Sequence, residues 1–215
     1  MLYVLEEIFK SKKNENSASF NLRIQRALSW LKKAALTQED HDLQFLSLWV
    51  SFNAIHLEES CRDTNLDQCK SFIDRIYVQD QSQKMSHVVW NDISQQMQSI
   101  LNSPYIFQGY WDYKNQKITQ LAWKADFDRA QQGIVKALKV KDAQQIIFLL
   151  FERMLTLNNQ LLAGGSGYNS SINRQLLKDS CHILLVLLPI FLELMIENAP
   201  HLDSRKPHYP IMQMS

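Results

Sequence analysis

The chain has 215 residues, 46% of them hydrophobic, and 23 basic against 22 acidic side chains leave a formal net charge of +1. This length suits one domain, or one domain with an appendage, and the apolar fraction is sufficient for a sizeable core. A charge near zero gives no support for a broad electrostatic grip on duplex nucleic acid. A local basic patch or one small RNA site remains possible.

The predicted elements are helices, separated by glycines and prolines that number only five each. Apolar residues recur at spacings of three and four, which is typical of amphipathic helices. The predicted helices span 2–10, 20–36, 40–59, 66–77, 84–101, 122–138, 142–162 and 173–197. We therefore expect an N-terminal helix and flexible linker (1–19), a helical domain (20–199) and an irregular C-terminal tail (200–215).

Single residues add detail to the predictions for helices 40–59 and 142–162. Asn53 lies on the apolar stripe of helix 40–59, either as a core amide bonded to backbone or as a residue near an active groove. Asp142 is a plausible N-cap for helix 142–162. Gly164 and Gly165 should end that helix, because glycine turns left-handed at no steric cost.

Residues 102–120 break the helical pattern with Pro104 and Gly109. Five aromatic residues cluster there: Tyr105, Phe107, Tyr110, Trp111 and Tyr113. We predict an irregular or β-hairpin excursion near 103–120, with a strand pair around Asn115. The rings could stack on bases, but packing onto the helices is favoured.

The longest apolar run, 183–196, includes Pro189 and Glu193 and is shorter than the roughly 20 residues that a membrane span needs. It is interpreted as a core helix, kinked or loosened at Pro189. Residues 1–10 lack the features of a signal peptide. We expect a soluble, cytoplasmic protein that has no membrane partner.

The usual cofactor and metal motifs are missing from the sequence. There is no P-loop, no dinucleotide-binding glycine pattern and no HExxH, and no two histidines stand at metal-binding spacing. Cys61, Cys69 and Cys181 have no CxxC spacing, so neither a disulfide framework nor a zinc site is expected. We therefore predict that no cofactor or metal is required.

Several segments, taken in order and spacing, resemble a group of bacterial HEPN-domain proteins. They are LRIQRALSWL (22–31), FLSLWVSFNAI (45–55), LNSPYIFQGYW (101–111), FERMLTLNNQLLAGG (151–165), YNSSINRQLLKDS (168–180), LLPIFLELMIENAP (187–200) and HYPIM (208–212). The resemblance covers about residues 20 to 212. It implies an all-α, HEPN-type helical bundle.

RNase-type members of that family carry an Arg, usually followed by a polar residue such as Asn, and a His about five positions after the Arg. The resemblance places these positions on Asn158, Asn159 and Ala163. A His would move protons and an Arg would bind the phosphate, without any metal. Asn159 fits the motif, whereas Asn158 and Ala163 cannot supply a charge or carry a proton.

The resemblance therefore implies a metal-independent endoribonuclease scaffold of a toxin or antiviral-defence system, catalytically disabled as written. Two explanations compete: deliberate replacement of the two residues, or natural loss of catalysis. The alternative function is a naturally non-catalytic HEPN module that binds RNA, nucleotide or a partner protein. The family further implies a homodimer with both motifs facing one cleft, an RNA substrate in the active form, and a possible antitoxin or defence partner.

Three further residues are candidate RNA-binding groups. Arg153 could line the cleft, or could form an ion pair with Glu152 or Asp179. Arg174 begins the last predicted helix and could bind phosphate, or could be an ordinary exposed arginine. Tyr168 lies beside the motif, and some HEPN toxins are silenced by modification of a nearby tyrosine. Tyr168 does not occupy the usual position for that modification.

Overall fold

The computed structural model describes residues 2–59, 64–203 and 206–210, and over these residues the protein is all-α, as predicted. The described parts contain eleven α-helices and no strand, and the only β pairing among them is an isolated bridge between Glu58 and Pro207. The helices are α1 (Leu2–Lys12), α2 (Ala18–Ala35), α3 (His41–His56), α4 (Asn65–Gln79), α5 (Lys84–Asn91), α6 (Ser94–Asn102), α7 (Gln108–Lys114), α8 (Gln120–Lys139), α9 (Ala143–Leu162), α10 (Arg174–Glu197) and α11 (Ala199–Leu202).

The chain divides into two compact units. Unit 1 combines Met1–Lys84 with Leu184–Ser215, and unit 2 is Met85–Ile183. Unit 1 is therefore built from two separate stretches of chain, and α10 begins in unit 2 and ends in unit 1. Cys61 lies outside the described residues, whereas Cys69 and Cys181 are buried and do not form a disulfide with each other.

Two long helices of unit 1, α2 and α3, start at side-chain caps that the sequence provides. Ser17 Oγ accepts from the Phe20 N–H at 3.0 Å at the start of α2. Asp40 Oδ1 accepts from the Leu43 N–H at 3.0 Å at the start of α3. Such caps satisfy backbone donors that have no partner within the helix. The segment predicted as a flexible link contains instead a short 3-10 helix, Lys13–Glu15.

An aromatic cluster fills the core of unit 1. The rings of Phe52 and Phe72 lie 5.9 Å apart and those of Phe72 and Phe191 5.6 Å apart, both in edge-to-face geometry. His56 stacks on Phe52 at 4.0 Å. Aromatic pairs of this geometry stabilise a core beyond the area that they bury.

A buried charge cluster lies in the same unit. Arg23 and Glu58 are 1% and 2% exposed. Glu58 Oε1 lies 2.6 Å from Arg75 Nη2 and 3.4 Å from Arg23 Nη2. Arg23 Nη2 also donates to the Ile55 carbonyl. Two guanidinium groups thus depend on one carboxylate, and the backbone of Glu58 forms the bridge to Pro207.

Unit 2 differs from the sequence prediction at two places. The predicted helix 84–101 is divided into α5 and α6. Asn91 Nδ2 donates to the His87 carbonyl at 2.8 Å, and local side-chain bonds of this kind compete with the backbone pattern of a helix. The chain then turns around the buried Ile93 before α6 begins.

The predicted strand pair near 103–120 is wrong. The segment forms a 3-10 helix, Pro104–Ile106, followed by α7. Ser103 caps the 3-10 helix through a bond from the Tyr105 N–H at 3.3 Å. Asn115, predicted to lie at a hairpin, is instead the C-cap of α7, and Gln116 follows with a φ of 60°.

Among the described helices, α10 is long and apolar enough to cross a membrane, and 72% of its most apolar 18-residue stretch is buried. It passes through Pro189 as a single helix. This degree of burial is what a core helix of a folded domain shows.

Candidate functional site

The predicted motif lies at the C-terminal end of α9, and the sequence accounts for both ends of that helix. Asp142 Oδ1 accepts from the Gln145 N–H at 3.0 Å, which confirms the predicted N-cap. At the other end Gly164 has a φ of 71°, and its N–H bonds to Leu161 O at 3.1 Å. The Gly165 N–H bonds to Gln160 O at 2.8 Å. Together these two bonds form a Schellman cap.

The geometry of the helix end therefore explains why glycine occupies both positions 164 and 165. The left-handed backbone at Gly164 favours glycine. A Cβ at Gly165 would lie 2.9 Å from the Gln160 carbonyl oxygen, closer than a real Cβ approaches. The prediction that glycine ends this helix is confirmed. Because the two glycines have this structural role, their position beside the motif does not by itself indicate catalysis.

The three motif positions differ in exposure. Asn158 is 6% exposed, whereas Asn159 and Ala163 are exposed. Ala163 is the C-cap of α9, so position 163 lies at the end of the helix. Within one chain, position 158 is buried and position 163 is open to solvent. A shared cleft with a second copy remains a prediction.

Gln160 joins three of the segments that carry the resemblance. Its Nε2 donates to the Tyr105 carbonyl at 2.8 Å, and its Oε1 accepts from Asn173 Nδ2 at 3.5 Å. The same Tyr105 carbonyl accepts from Trp111 Nε1 at 2.7 Å. Residues from 101–111, 151–165 and 168–180 thus meet at the end of α9. From the sequence, Gln160 is only one residue of the segment 151–165, and no pattern predicts that its side chain links Tyr105 to Asn173.

Arg153 is enclosed by aromatic rings. The side chain is 1% exposed, and its guanidinium carbon lies 4.4 Å from the Phe107 ring centre and 5.8 Å from that of Phe127. Burial lowers the pKa of Arg153, and the charge of Glu152 partly offsets this effect. Burial also raises the pKa of Glu152.

The guanidinium of Arg153 has no carboxylate partner among the described residues. No described carboxylate oxygen lies within 4.0 Å, so neither the Glu152 nor the Asp179 ion pair forms. Its Nε and Nη2 are buried without a hydrogen-bond partner. Asp179 instead accepts from Gln175 Nε2 at 2.9 Å. In this arrangement the cation is closed to solvent and does not present itself for the predicted contact with RNA.

Replacing Arg153 with Met should raise the free energy of unfolding by about 1–2 kcal/mol. The substitution removes an uncompensated buried charge and keeps most of the side-chain volume, a change that is often neutral or stabilising. Urea denaturation followed by circular dichroism measures the difference. The matched control is Arg129→Met, because Arg129 is exposed and paired with Asp126, and its loss should change little. A clear destabilisation by Arg153→Met would show that stacking on the rings outweighs desolvation.

Arg174 and Tyr168 lie on the segment that follows the glycines. Arg174 is half-buried at the first position of α10, and its Nε donates to Ser170 O at 2.9 Å. Tyr168 is 75% exposed. Both are close in sequence to position 163, and Tyr168 is the one whose ring is open to solvent.

The aromatic residues of 102–120 pack onto α8, as the favoured interpretation predicted. The rings of Phe107 and Phe127 lie 5.3 Å apart, and those of Tyr110 and Trp123 lie 5.4 Å apart. Trp123 and Phe127 were not singled out in the sequence, because they occur within an ordinary helical pattern. Tyr105 remains half exposed and is the ring of this cluster most available for stacking.

Metal-binding geometry is not found in the described parts of the chain, where no three His, Cys, Asp or Glu side chains group together.

No family model, no curated protein and no solved structure matches this chain. The HEPN resemblance therefore depends on the quoted sequence segments alone.

Proposed function

We propose that this chain is a HEPN-type, metal-independent endoribonuclease scaffold that lacks its proton carrier and its phosphate cation. The observation that carries the proposal is the meeting of three resembling segments around Gln160, beside position 163. Tyr105 precedes Gln160 by 55 residues, so the fold and not local connectivity brings the segment 101–111 to the predicted motif. The segments 151–165 and 168–180 are nearly consecutive along the chain.

The end of α9 is a suitable place for the missing histidine. A helix C-terminus has a partial negative charge, which stabilises a protonated imidazole and raises its pKa. An imidazole at position 163 would be exposed, within reach of a substrate. Asn159, exposed four residues before it, could donate hydrogen bonds to RNA.

The chain as written should have little or no ribonuclease activity. Ala163 cannot transfer a proton, and losing one general acid–base group typically costs 10²–10⁴-fold in rate. Asn158 cannot neutralise a phosphate. A defence or toxin role and a homodimer with facing motifs follow from the same proposal.

The test is the double substitution Asn158→Arg with Ala163→His. It should produce RNA cleavage that persists in EDTA and leaves a 2′,3′-cyclic phosphate and a 5′-hydroxyl. The 2′-oxygen attacks the adjacent phosphorus, the bond from phosphorus to the 5′-oxygen breaks, and that oxygen takes up a proton as it leaves. Gel analysis of a labelled single-stranded RNA and mass spectrometry of the products measure this outcome.

The matched control is Asn158→Arg with Leu162→His, which moves the imidazole by one exposed position. It should remain inactive. Sedimentation velocity first establishes that the variants are dimers. Absence of cleavage by a folded, dimeric Asn158→Arg, Ala163→His variant would contradict the ribonuclease proposal, and a monomeric mass at micromolar concentration would contradict the dimer.

One observation favours the non-catalytic alternative. Position 158 is 6% exposed, and an arginine there would be desolvated unless it reached the surface along its aliphatic stem. A small amide fits such a position more readily. The native gene separates the two explanations: codons for Asn158 and Ala163 would support natural loss of catalysis and a binding role.

A further inference from the structure

Unit 1 contains a cavity of about 330 Å³ between α2, α3 and the segment 207–209. Its wall includes the apolar residues Val50, Ala54 and Leu57 together with Trp30, which is 42% exposed. This volume is at the lower end of the range of small-molecule sites, so it suits one ring system and a short substituent.

The tail segment 207–209, which lines one part of the cavity, is held in place by several contacts. Pro207 bridges to Glu58, and His208 Nδ1 lies 3.4 Å from the Glu58 carbonyl oxygen. Arg26 Nη1 donates to the Tyr209 carbonyl at 2.5 Å. The cavity is thus formed within unit 1 by α2, α3 and a segment that lies far from them in the sequence.

The charge of the cavity is unbalanced. Arg26 is half-buried in its lining, and no described carboxylate forms an ion pair with it. Among the described residues, no Asp or Glu lines the cavity. Because Nη1 is used by Tyr209, the Nε and Nη2 edge of the guanidinium remains for a ligand. That edge matches the two oxygens of a carboxylate.

We propose that this cavity binds a small aromatic carboxylate, with the ring among Trp30, Val50 and Leu57 and the carboxylate on Arg26. Asn53, which also lines the cavity, can donate an additional hydrogen bond to the carboxylate from its amide. Its place on the apolar stripe of α3 then has a binding role. The site does not depend on the ribonuclease proposal, and binding is measured without RNA.

The test uses 2-naphthoate as the probe and isothermal titration calorimetry on the full chain. The dissociation constant should lie between about 10 µM and 1 mM, as expected for a ligand of this size. The neutral isostere 2-naphthamide should bind about 10- to 100-fold more weakly, because it loses the charge-assisted bonds. Acetate should show no measurable binding, since it lacks the ring.

Two variants locate the site. Arg26→Gln should weaken 2-naphthoate about 10- to 100-fold and leave 2-naphthamide nearly unchanged. Ala54→Leu should abolish binding of both by filling the cavity, whereas Arg129→Gln, at an exposed arginine of unit 2, should bind as the parent does. Circular dichroism confirms that each variant is folded. Equal affinity for naphthoate and naphthamide, or an unchanged affinity in folded Arg26→Gln, would overturn the proposal.

Discussion

Replacing Glu58 with Gln is expected to lower the free energy of unfolding by about 3–5 kcal/mol. Removing one partner from a buried ion pair leaves an uncompensated charge, which costs about this much. Glu58 is the carboxylate that contacts both Arg23 and Arg75 in the buried cluster. Burial lowers the pKa of Arg23, and the charge of Glu58 is the largest influence that opposes this shift.

The neighbouring residue provides the control for this substitution. Glu59→Gln makes the same chemical change on an exposed side chain and should alter stability by less than about 0.5 kcal/mol. Urea denaturation of both variants at neutral pH gives the comparison. Similar stabilities for the two variants would show that the cluster does not need its carboxylate.

The stability that neutral His56 contributes should be fully present above pH 6.5 and be lost as pH falls towards 4. Burial lowers its pKa from 6.5 to about 4, the Phe52 carbonyl bond opposes this shift, and the charge of Arg23 adds to it. Between pH 6.5 and 4 the unfolded chain binds the proton more tightly than the folded chain does. Linkage then gives a loss of about 2–3 kcal/mol between roughly pH 7.5 and pH 4.5.

Other groups also titrate in this range, so a difference between variants isolates His56. His56→Phe keeps a ring against Phe52 but cannot be protonated. As pH falls from about 7.5 to 4.5, the free energy of unfolding of this variant should decrease by about 2–3 kcal/mol less than that of the parent. His201→Gln, at an exposed histidine, should keep the parent slope. Parallel curves for the parent and His56→Phe would show that the imidazole stays neutral in both states.

Local chemistry made much of the fold predictable. The period of apolar residues located the long helices, and Asp142 and Gly164 located both ends of α9. The segment 103–120 was not predictable in the same way. Its aromatic residues favour strands in isolation, but their packing against Trp123 and Phe127 on α8 decides for a helix.

The candidate site shows the same limit. The resemblance located Asn158 and Ala163 along the chain, and the glycines correctly indicated a helix end at position 163. The bond from Gln160 to Tyr105 joins α9 to the 3-10 helix Pro104–Ile106, and no local pattern encodes it. Likewise the sequence suggested carboxylate partners for Arg153, whereas the fold surrounds it with Phe107 and Phe127.

The discontinuity of unit 1 has a consequence for synthesis. Phe191 completes the aromatic cluster of Phe52 and Phe72, yet it leaves the ribosome only after all of unit 2 has been made. At 5–20 residues per second, the stretch from position 72 to position 191 takes about 6–24 s. During that time the apolar faces of α3 and α4 lack their final partner. The nascent chain therefore passes through a period in which chaperones have an exposed surface to bind.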